Sequence, residues 1–253
     1  MIRGLSHFSE HFKDYSDSFI LVGGVASYLL LDEVGASKVR ATKDLDIVLL
    51  MKPSSEFLAA IKEYVKAGGY EVQKGDNEQA TFYRFQRPKL EEFPLMIELF
   101  ATAESEFELF AKQHIIPITS SDEIEPLSAI LLDDDYYTII KNNGVERDGI
   151  YILNELALIP FKAKAYLEIK ERGEDSKNWK KHRGDIINLT VTLLTEESSE
   201  ILVGRVRGHF IEFIEQLEVE LTPDIIKGAC SQKVQKETIL DLLKNTFIGT
   251  SKE

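Results

Sequence analysis

The sequence predicts an α+β fold in which a mixed sheet flanked by helices is followed by an all-helical C-terminal part. Two observations support this prediction. Up to about residue 150, short apolar runs typical of strands alternate with segments of helical spacing. Beyond residue 153 only helical spacing recurs. We therefore place a domain boundary near residue 150, between an α/β domain of residues 1–150 and a helical domain of residues 151–253. Further helices are expected over 176–195, 200–218 and 234–246.

A glycine pair follows the first predicted strand. A helix over residues 5–16 leads to a strand at 18–22, and Gly23 and Gly24 separate this strand from the next helix. Glycines let the backbone approach a ligand, and the first N–H groups of a helix face an anion. Gly23 and Gly24 are therefore candidate phosphate-binding residues, although a plain glycine turn would give the same pattern.

Two acids open the next predicted strand. Asp44 and Asp46 precede the apolar run of residues 47–50. Side chains two apart on a strand point to the same face, and these two lie about 6.5 Å apart along it. Such carboxylates repel each other, and a divalent cation with oxygen ligands would balance their charge. Carboxylate oxygens favour Mg²⁺ or Mn²⁺ over zinc.

The remaining elements of the first half are assigned from the capping, helix-ending and turn residues at their boundaries. Ser54 or Ser55 can cap a helix that ends at Gly68 and Gly69. Residues 133–135 are three aspartates that precede another predicted helix. They could bind a metal ion, but we favour a role in which their negative charge complements the helix dipole. Strands are expected over 70–73, 81–86 and 94–101, with a turn at 75–77, and further strand or edge segments over 115–119 and 124–132.

Composition indicates a globular protein in a reducing compartment. Of 253 residues, 43% are apolar and 29% charged, which is ordinary for a soluble domain. No run approaches the roughly 20 apolar residues of a membrane helix, and residues 1–8 lack the apolar segment of a signal peptide. The single cysteine, Cys230, excludes an intramolecular disulfide and a cysteine-based metal site. We expect a cytoplasmic location and no membrane partner.

The charge distribution limits the choice of partners. A formal net charge of −13 argues against a general nucleic-acid-binding surface. Residues 170–183 nevertheless carry a local excess of basic side chains. They form either a solvated corner between two helices or a phosphate-facing patch.

One lysine interrupts an apolar helical stripe. At helical spacing Lys162 shares a face with Leu158, Ala165 and Ile169. A lysine there either extends its amine to solvent or meets a phosphate or carboxylate. Lys164 instead faces Glu168 four residues on, as an ordinary surface pair does.

The order of these motifs resembles a known superfamily. A strand with Gly-Gly, a helix, Asp-x-Asp on the next strand and a lone later acid, here Glu98, is the pattern of the polymerase-β-like nucleotidyltransferases. Within it, the chain resembles abortive-infection toxin nucleotidyltransferases of the AbiEii/AbiGii type. This likeness depends on residues 40–46, 161–167 and 181–185, and it covers roughly residues 18–195.

The resemblance implies an activity and a partner set. It implies NTP-dependent transfer of a nucleoside monophosphate, ATP among the candidate donors, to an acceptor hydroxyl, with release of pyrophosphate. The acceptor could be a tRNA 3′ end, a protein side chain or a small molecule. The protein would be the toxin of a toxin–antitoxin system, with an antitoxin protein as partner. The alternative is a catalytically silent nucleotide- or partner-binding module with the same fold. In such a module the acidic site residues would be the first to be replaced, and this sequence retains Asp44, Asp46 and Glu98.

The resemblance also implies site residues in both halves. Asp44, Asp46 and Glu98 would hold Mg²⁺ or Mn²⁺, and Glu98 would activate the acceptor hydroxyl, unless it is an edge-strand acid facing solvent. Asp185, on the helix after that of Lys162, would complete the catalytic site, although a lysine–aspartate pair between the helices would give the same sequence. The candidate nucleotide-binding residues are Gly23, Gly24, Ser27, Thr42, Lys43, Lys162, Lys181 and His182.

Overall fold

The chain divides into two compact units. The computed structural model describes residues 2–50, 54–77, 80–102, 116–117, 134–173 and 175–249. Unit 1 comprises Met1–Ala26, Ala41–Leu132 and Gly144–Leu153. Unit 2 comprises Ser27–Arg40, Asp133–Asn143 and Asn154–Glu253. The chain thus passes between the units several times. Compactness does not test independent folding, so the single domain boundary near residue 150 stays a prediction.

Unit 1 contains a mixed sheet, as the α+β prediction requires. Its eight strands run in the order β6-β3-β4-β5-β2-β1-β8-β7. β1 pairs antiparallel with β2 and parallel with β8, whereas β2 pairs parallel with β5. The strands are β1 Phe19–Val22, β2 Asp44–Leu49, β3 Glu71–Asn77, β4 Ala80–Gln86, β5 Met96–Thr102, β6 Ile116–Pro117, β7 Gly144–Arg147 and β8 Ile150–Leu153.

Two helices cover one face of this sheet. They are α1 (Leu5–Phe12) and α3 (Ser55–Gly68). Ser54 caps α3 by accepting a hydrogen bond from the Phe57 N–H, and Gly69 ends it in the left-handed conformation. Because side chains alternate along a strand, the acids of β2 and β5 lie on the opposite face. The apolar layer consists of Phe8, Phe12, Phe57, Ile61, Tyr64 and Val65 against Ile47, Phe85, Ile97 and Leu99.

Several predicted boundaries differ from the observed ones. The first helix ends at Phe12, and a 3₁₀-helix over Lys13–Ser18 follows. The predicted turn at 75–77 is wrong, because these residues continue β3 and pair with β4 as far as Asn77 opposite Ala80. Of the segments expected over 115–119 and 124–132, only residues 116–117 are described, as β6; the others lie outside the described residues.

The hairpin of β7 and β8 was not predicted from the sequence. Its two-residue turn consists of Asp148 and Gly149, both with positive φ, 51° and 80°. An Asp-Gly pair between short β-rich runs is a strong hairpin signal. Because β8 pairs with β1, the strand that precedes the glycine pair lies in the interior of the sheet.

The regular secondary structure of unit 2, in its described residues, is helical. Asn154 caps helix α5 (Glu155–Glu171), and Pro160 lies inside this helix. Asp135 of the acidic triplet lies in the first turn of helix α4 (Asp134–Asn142). Its carboxylate also accepts a hydrogen bond at 2.9 Å from the N–H of Arg205, at the start of helix α7 (Gly204–Glu220). Among the helices of the described ranges, none combines the length and apolar character needed to cross a bilayer. The helices are α2 Gly23–Glu33, which begins in unit 1, α4 Asp134–Asn142, α5 Glu155–Glu171, α6 Ser176–Leu193, α7 Gly204–Glu220, α8 Pro223–Ala229 and α9 Lys236–Phe247.

Candidate nucleotide site

The two acids of β2 lie on one face of an interior strand. β2 lies between β1 and β5, so both of its edges are paired. Asp44 and Asp46 are half-buried, whereas Leu45 and Ile47 are buried on the other face. The predicted strand and the shared direction of its carboxylates are therefore confirmed. An interior strand holds both side chains in fixed positions.

Glu98 occupies the neighbouring strand in register with Asp46. The two residues are direct partners in the parallel β2–β5 pair, so their side chains point to the same face. Glu98 is only 2% exposed, and its Oε1 accepts a hydrogen bond from Arg84 Nε at 2.8 Å. The alternative of a solvent-facing edge acid is wrong, because β5 is an interior strand and Glu98 belongs to a buried ion pair.

The glycine pair packs directly against the acid-bearing segment. Gly23 has a φ of +63°, and a Cβ on it would lie 2.0 Å from Asp46 Oδ2. A Cβ on Gly24 would lie 2.8 Å from Thr42 Oγ1. A side chain at either position would thus displace a neighbouring polar group. The pair is also the start of α2, so the helix N-terminus lies beside Asp46 and Thr42.

The other candidates near this site have different environments. The Thr42 hydroxyl is half-buried and accepts a long hydrogen bond, 3.4 Å, from the Asp44 N–H. Lys43 is exposed beside it. Ser27, one turn further along α2, is 5% exposed and belongs to unit 2. Their proposed roles in nucleotide binding stay predictions.

The oxygen ligands of Asp44 and Asp46 suit a magnesium ion, and the third candidate, Glu98, already contacts Arg84. Within the described ranges no three His, Cys, Asp or Glu side chains come together as a metal-binding group. Glu98, the expected third ligand, is paired with Arg84. Mg²⁺ commonly uses one or two carboxylates and completes its shell with water and substrate phosphate oxygens. Two acids on one face satisfy that requirement.

Gly24→Val is expected to weaken binding of a non-hydrolysable NTP at least about tenfold, or about 1.4 kcal/mol. The new side chain would press on Thr42 and cover the N–H groups at the start of α2. Calorimetric titration measures the affinity, and thermal unfolding checks the fold. Gly208→Val is the matched control, since a Cβ on Gly208 in α7 meets nothing within 4 Å. Unchanged NTP affinity in Gly24→Val would make the pair a plain turn.

Unit 2 contains a second cluster of charged residues, centred on Asp185. Lys162, 4% exposed, places Nζ 2.7 Å from Asp185 Oδ2. Arg40 donates to the same carboxylate through Nη2 at 3.0 Å and Nε at 3.3 Å. The lysine–aspartate pair left open by the sequence is therefore present, and extension of the Lys162 amine to solvent is wrong. The sequence did not indicate that Arg40 contacts Asp185, which lies 145 positions further along the chain.

Electrostatics keep Asp185 ionised. Burial raises the pKa of this carboxyl, but the attraction of Lys162 and the hydrogen bonds from Arg40 and Lys162 outweigh burial. The pKa of Asp185 consequently lies well below its usual range. The carboxylate is thus a permanent counter-ion for a buried lysine.

His182 is a neutral histidine with buried ring nitrogens. Both Nδ1 and Nε2 are without a hydrogen-bond partner in the described part of the chain. Burial, and then the positive charges of Lys162 and Lys181, lower the pKa of His182 well below its usual value, although Asp185 opposes this effect. A buried polar group without a partner is costly, so this ring is a candidate for contact with a ligand or water.

Acidification is expected to destabilise the protein below about pH 6.5 through His182. The unfolded chain takes up a proton there, whereas the folded protein keeps this ring neutral. The free energy of unfolding therefore falls as pH falls, by up to about 1.4 kcal/mol per pH unit. His182→Gln should remove this part of the slope between about pH 6.5 and 5 in denaturant unfolding. The exposed His11→Gln is the control, and an unchanged slope in His182→Gln would contradict the prediction.

The neighbouring basic residues are largely paired. Lys164 contacts Glu168 at 3.2 Å, as predicted, and also lies 3.3 Å from His209 Nε2. Lys170 and Arg183, from the basic segment 170–183, each contact Glu220 at 2.6 Å. These two cations are already neutralised, so any phosphate-facing patch in this segment consists of its other basic residues.

A solved structure that resembles this chain is that of the Megavirus polyadenylate synthase. The two sequences are 14% identical, the TM-score is 0.42, and the match covers 86% of this chain. This chain spans 36% of the length of that synthase. No protein-family model matches the sequence, and a search of curated proteins finds no match. At this similarity the likeness carries no argument about activity, which must come from the geometry of the site.

Proposed function

We propose that the protein is a metal-dependent nucleotidyltransferase that moves a nucleoside monophosphate from an NTP to an acceptor hydroxyl. One observation supports this proposal above the others. The N-terminus of α2, at Gly23 and Gly24, lies directly against Asp46 and Thr42. An anion-binding helix end beside two carboxylates on one strand face offers the two parts that a metal–triphosphate complex needs.

Four residues of unit 1 have a role in this proposal. The N–H groups at the start of α2 bind the triphosphate, and the absence of side chains at Gly23 and Gly24 leaves them accessible. Asp44 and Asp46 would hold Mg²⁺ or Mn²⁺, and the bound ion would supply stabilisation of negative charge. The acceptor hydroxyl loses its proton to solvent as its oxygen forms a bond to the α-phosphorus. The bond from this phosphorus to the bridging oxygen breaks, and pyrophosphate leaves with that oxygen.

The residues of unit 2 enter the proposal through the sequence resemblance. Lys162 binds the triphosphate, Lys181 and His182 assist it, and Asp185 completes the catalytic residues. The contacts of Asp185 with Lys162 and Arg40 support a fixed position for the lysine amine. The toxin role and an antitoxin partner also depend on that resemblance.

The decisive experiment is incubation of the purified chain with each labelled NTP, Mg²⁺, and RNA or protein acceptors. The proposal expects pyrophosphate release and a labelled acceptor with at least one NTP, and neither product with Asp46→Asn. NTP binding without pyrophosphate would favour the silent binding module. For the toxin role, expression of the wild-type chain should arrest growth, whereas Asp46→Asn should not.

Lys162 and Lys164 are expected to differ in their effect on transfer. Lys162→Met should reduce the transfer rate at least about tenfold, about 1.4 kcal/mol or more, since a charge-assisted bond to phosphate is lost. Lys164→Met should leave the rate nearly unchanged, because this lysine points about 200° away from Lys162 around the helix and forms an i,i+4 pair with Glu168. Single-turnover assays measure both, with thermal unfolding as a check on the fold. A larger loss in Lys164→Met would reverse the assignment.

A further inference from the structure

One carboxylate in unit 2 joins two cations from different parts of the chain. Asp185 Oδ2 accepts hydrogen bonds from Lys162 Nζ at 2.7 Å and from Arg40 Nη2 at 3.0 Å, and Asp185 Oδ1 accepts one from Arg40 Nε at 3.3 Å. Arg40 thus contacts both oxygens of the carboxylate, whereas Lys162 contacts one of them. A two-point contact of this kind fixes the plane of a carboxylate, which a single contact leaves able to rotate.

The segment that carries Arg40 is itself attached to helices of unit 2. Asn188 is buried on α6, one turn beyond Asp185, and its Nδ2 donates a hydrogen bond to the Lys38 carbonyl. The Lys38 amine donates in turn to the carbonyl of Lys227 in α8. The backbone two residues before Arg40 is therefore held by both helices, so the guanidinium approaches Asp185 from one defined direction.

The orientation of Asp185 in turn limits the orientation of the Lys162 amine. An ammonium group has three donors, and the contact with Asp185 Oδ2 uses one donor of Lys162. Because the three N–H bonds lie at fixed angles to one another, the direction of this contact restricts the directions of the other two. Lys162 is buried, so its amine cannot turn to bulk water, whereas Arg40 is 45% exposed and its replacement should cost little stability.

We infer that Arg40 is a positioning residue for the proposed transfer, which holds the carboxylate of Asp185 side-on and thereby directs the amine of Lys162 toward the triphosphate. This inference depends on the proposed function, from which it takes the role of Lys162. Arg40→Lys should not preserve the effect, because a single ammonium group lacks the planar fork that contacts two carboxylate oxygens at once.

The test is calorimetric titration of the full chain with inorganic triphosphate and Mg²⁺, which requires no catalysis. Lys162→Met should weaken binding at least about tenfold, and Arg40→Met about three- to tenfold. Lys162→Met/Arg40→Met should bind as Lys162→Met does, because Arg40 acts only through the amine that is already lost. Lys162→Gln, which can still hydrogen-bond Asp185, provides a second background for the same comparison. Arg87→Met, at the exposed pair with Glu71, is the matched control and should bind as wild type.

Arg40→Lys separates geometry from charge, and it should bind as weakly as Arg40→Met. Wild-type affinity in Arg40→Lys or in Arg40→Met would overturn the inference. Losses that multiply in the double variant would overturn it as well, since Arg40 would then contact the phosphates directly. Unchanged affinity in Lys162→Met would refute the proposed role of Lys162 together with the inference, whereas a loss in Lys162→Met alone refutes only the inference. Thermal unfolding of each variant checks the fold.

Discussion

Asp46→Asn is expected to reduce nucleotidyl transfer at least about a thousandfold, about 4 kcal/mol of transition-state stabilisation. The substitution removes one of the two carboxylates that fit the metal and leaves its neighbour Asp44 with a neutral partner on the same face. The fold should survive, because asparagine keeps the size and shape of the side chain and the repulsion from Asp44 is removed. Product formation from labelled NTP measures the effect, and thermal unfolding confirms the fold. Asp44→Asn should behave in the same way.

The control for this experiment is an acid outside the site. Asp17 is exposed and lies just before β1 in the same unit. Asp17→Asn should transfer at the wild-type rate. If both Asp44→Asn and Asp46→Asn remain fully active, the two carboxylates do not hold a catalytic metal. If either variant unfolds, the acids are needed for stability and the rate measurement loses its meaning.

Asp185→Ala is expected to destabilise unit 2 by about 3–5 kcal/mol. It leaves the amine of Lys162, only 4% exposed, without the carboxylate that it contacts at 2.7 Å. A buried charge that has lost its partner cannot recover its hydration. Arg40, 45% exposed, can turn to solvent and should add little to the loss. Thermal or urea unfolding measures the change in stability.

Replacement of Lys162, the other member of the pair, should reduce the free energy of unfolding much less. Lys162→Met fills a similar volume without a charge, and Asp185 keeps its two hydrogen bonds from Arg40. Lys162→Met/Asp185→Leu should regain most of the stability lost in Asp185→Ala, since apolar replacements of a buried pair are often neutral. Glu218→Ala, at the exposed pair with Lys244, is the control and should cost at most about 1 kcal/mol. Equal losses in Asp185→Ala and Glu218→Ala would show that burial of Lys162 does not govern stability.

The features that the sequence predicted well are local ones. Asp44 and Asp46 share a face because alternation is a property of any strand, whatever surrounds it. Lys162 and Lys164 have different environments for the same kind of reason, since two positions on a helix differ by about 200°. The cap at Ser54 and the end of α3 at Gly69 also follow from neighbouring residues.

The strand boundaries were less predictable, because pairing decides them. Residues 75–77 have the composition of a turn, yet the ladder with β4 continues through them. The hairpin of β7 and β8 had a local signal in Asp148 and Gly149 that composition of the neighbouring residues obscured. At residues 75–77 the hydrogen bonds of the partner strand outweigh local propensity.

The sequence by itself thus determined most element types, the face of the two acids, and the apolar helix face on which Lys162 lies. Only the tertiary structure decided which charged groups meet. Glu98 could have faced solvent, a metal or a cation, and the register of β4 against β5 placed Arg84 opposite it. Lys162 could have faced a phosphate or a carboxylate, and the packing of α5 on α6 gave it Asp185. An ion pair requires that two charged groups lie close in space. Periodicity along the chain specifies the direction of a side chain but not the residue that it meets.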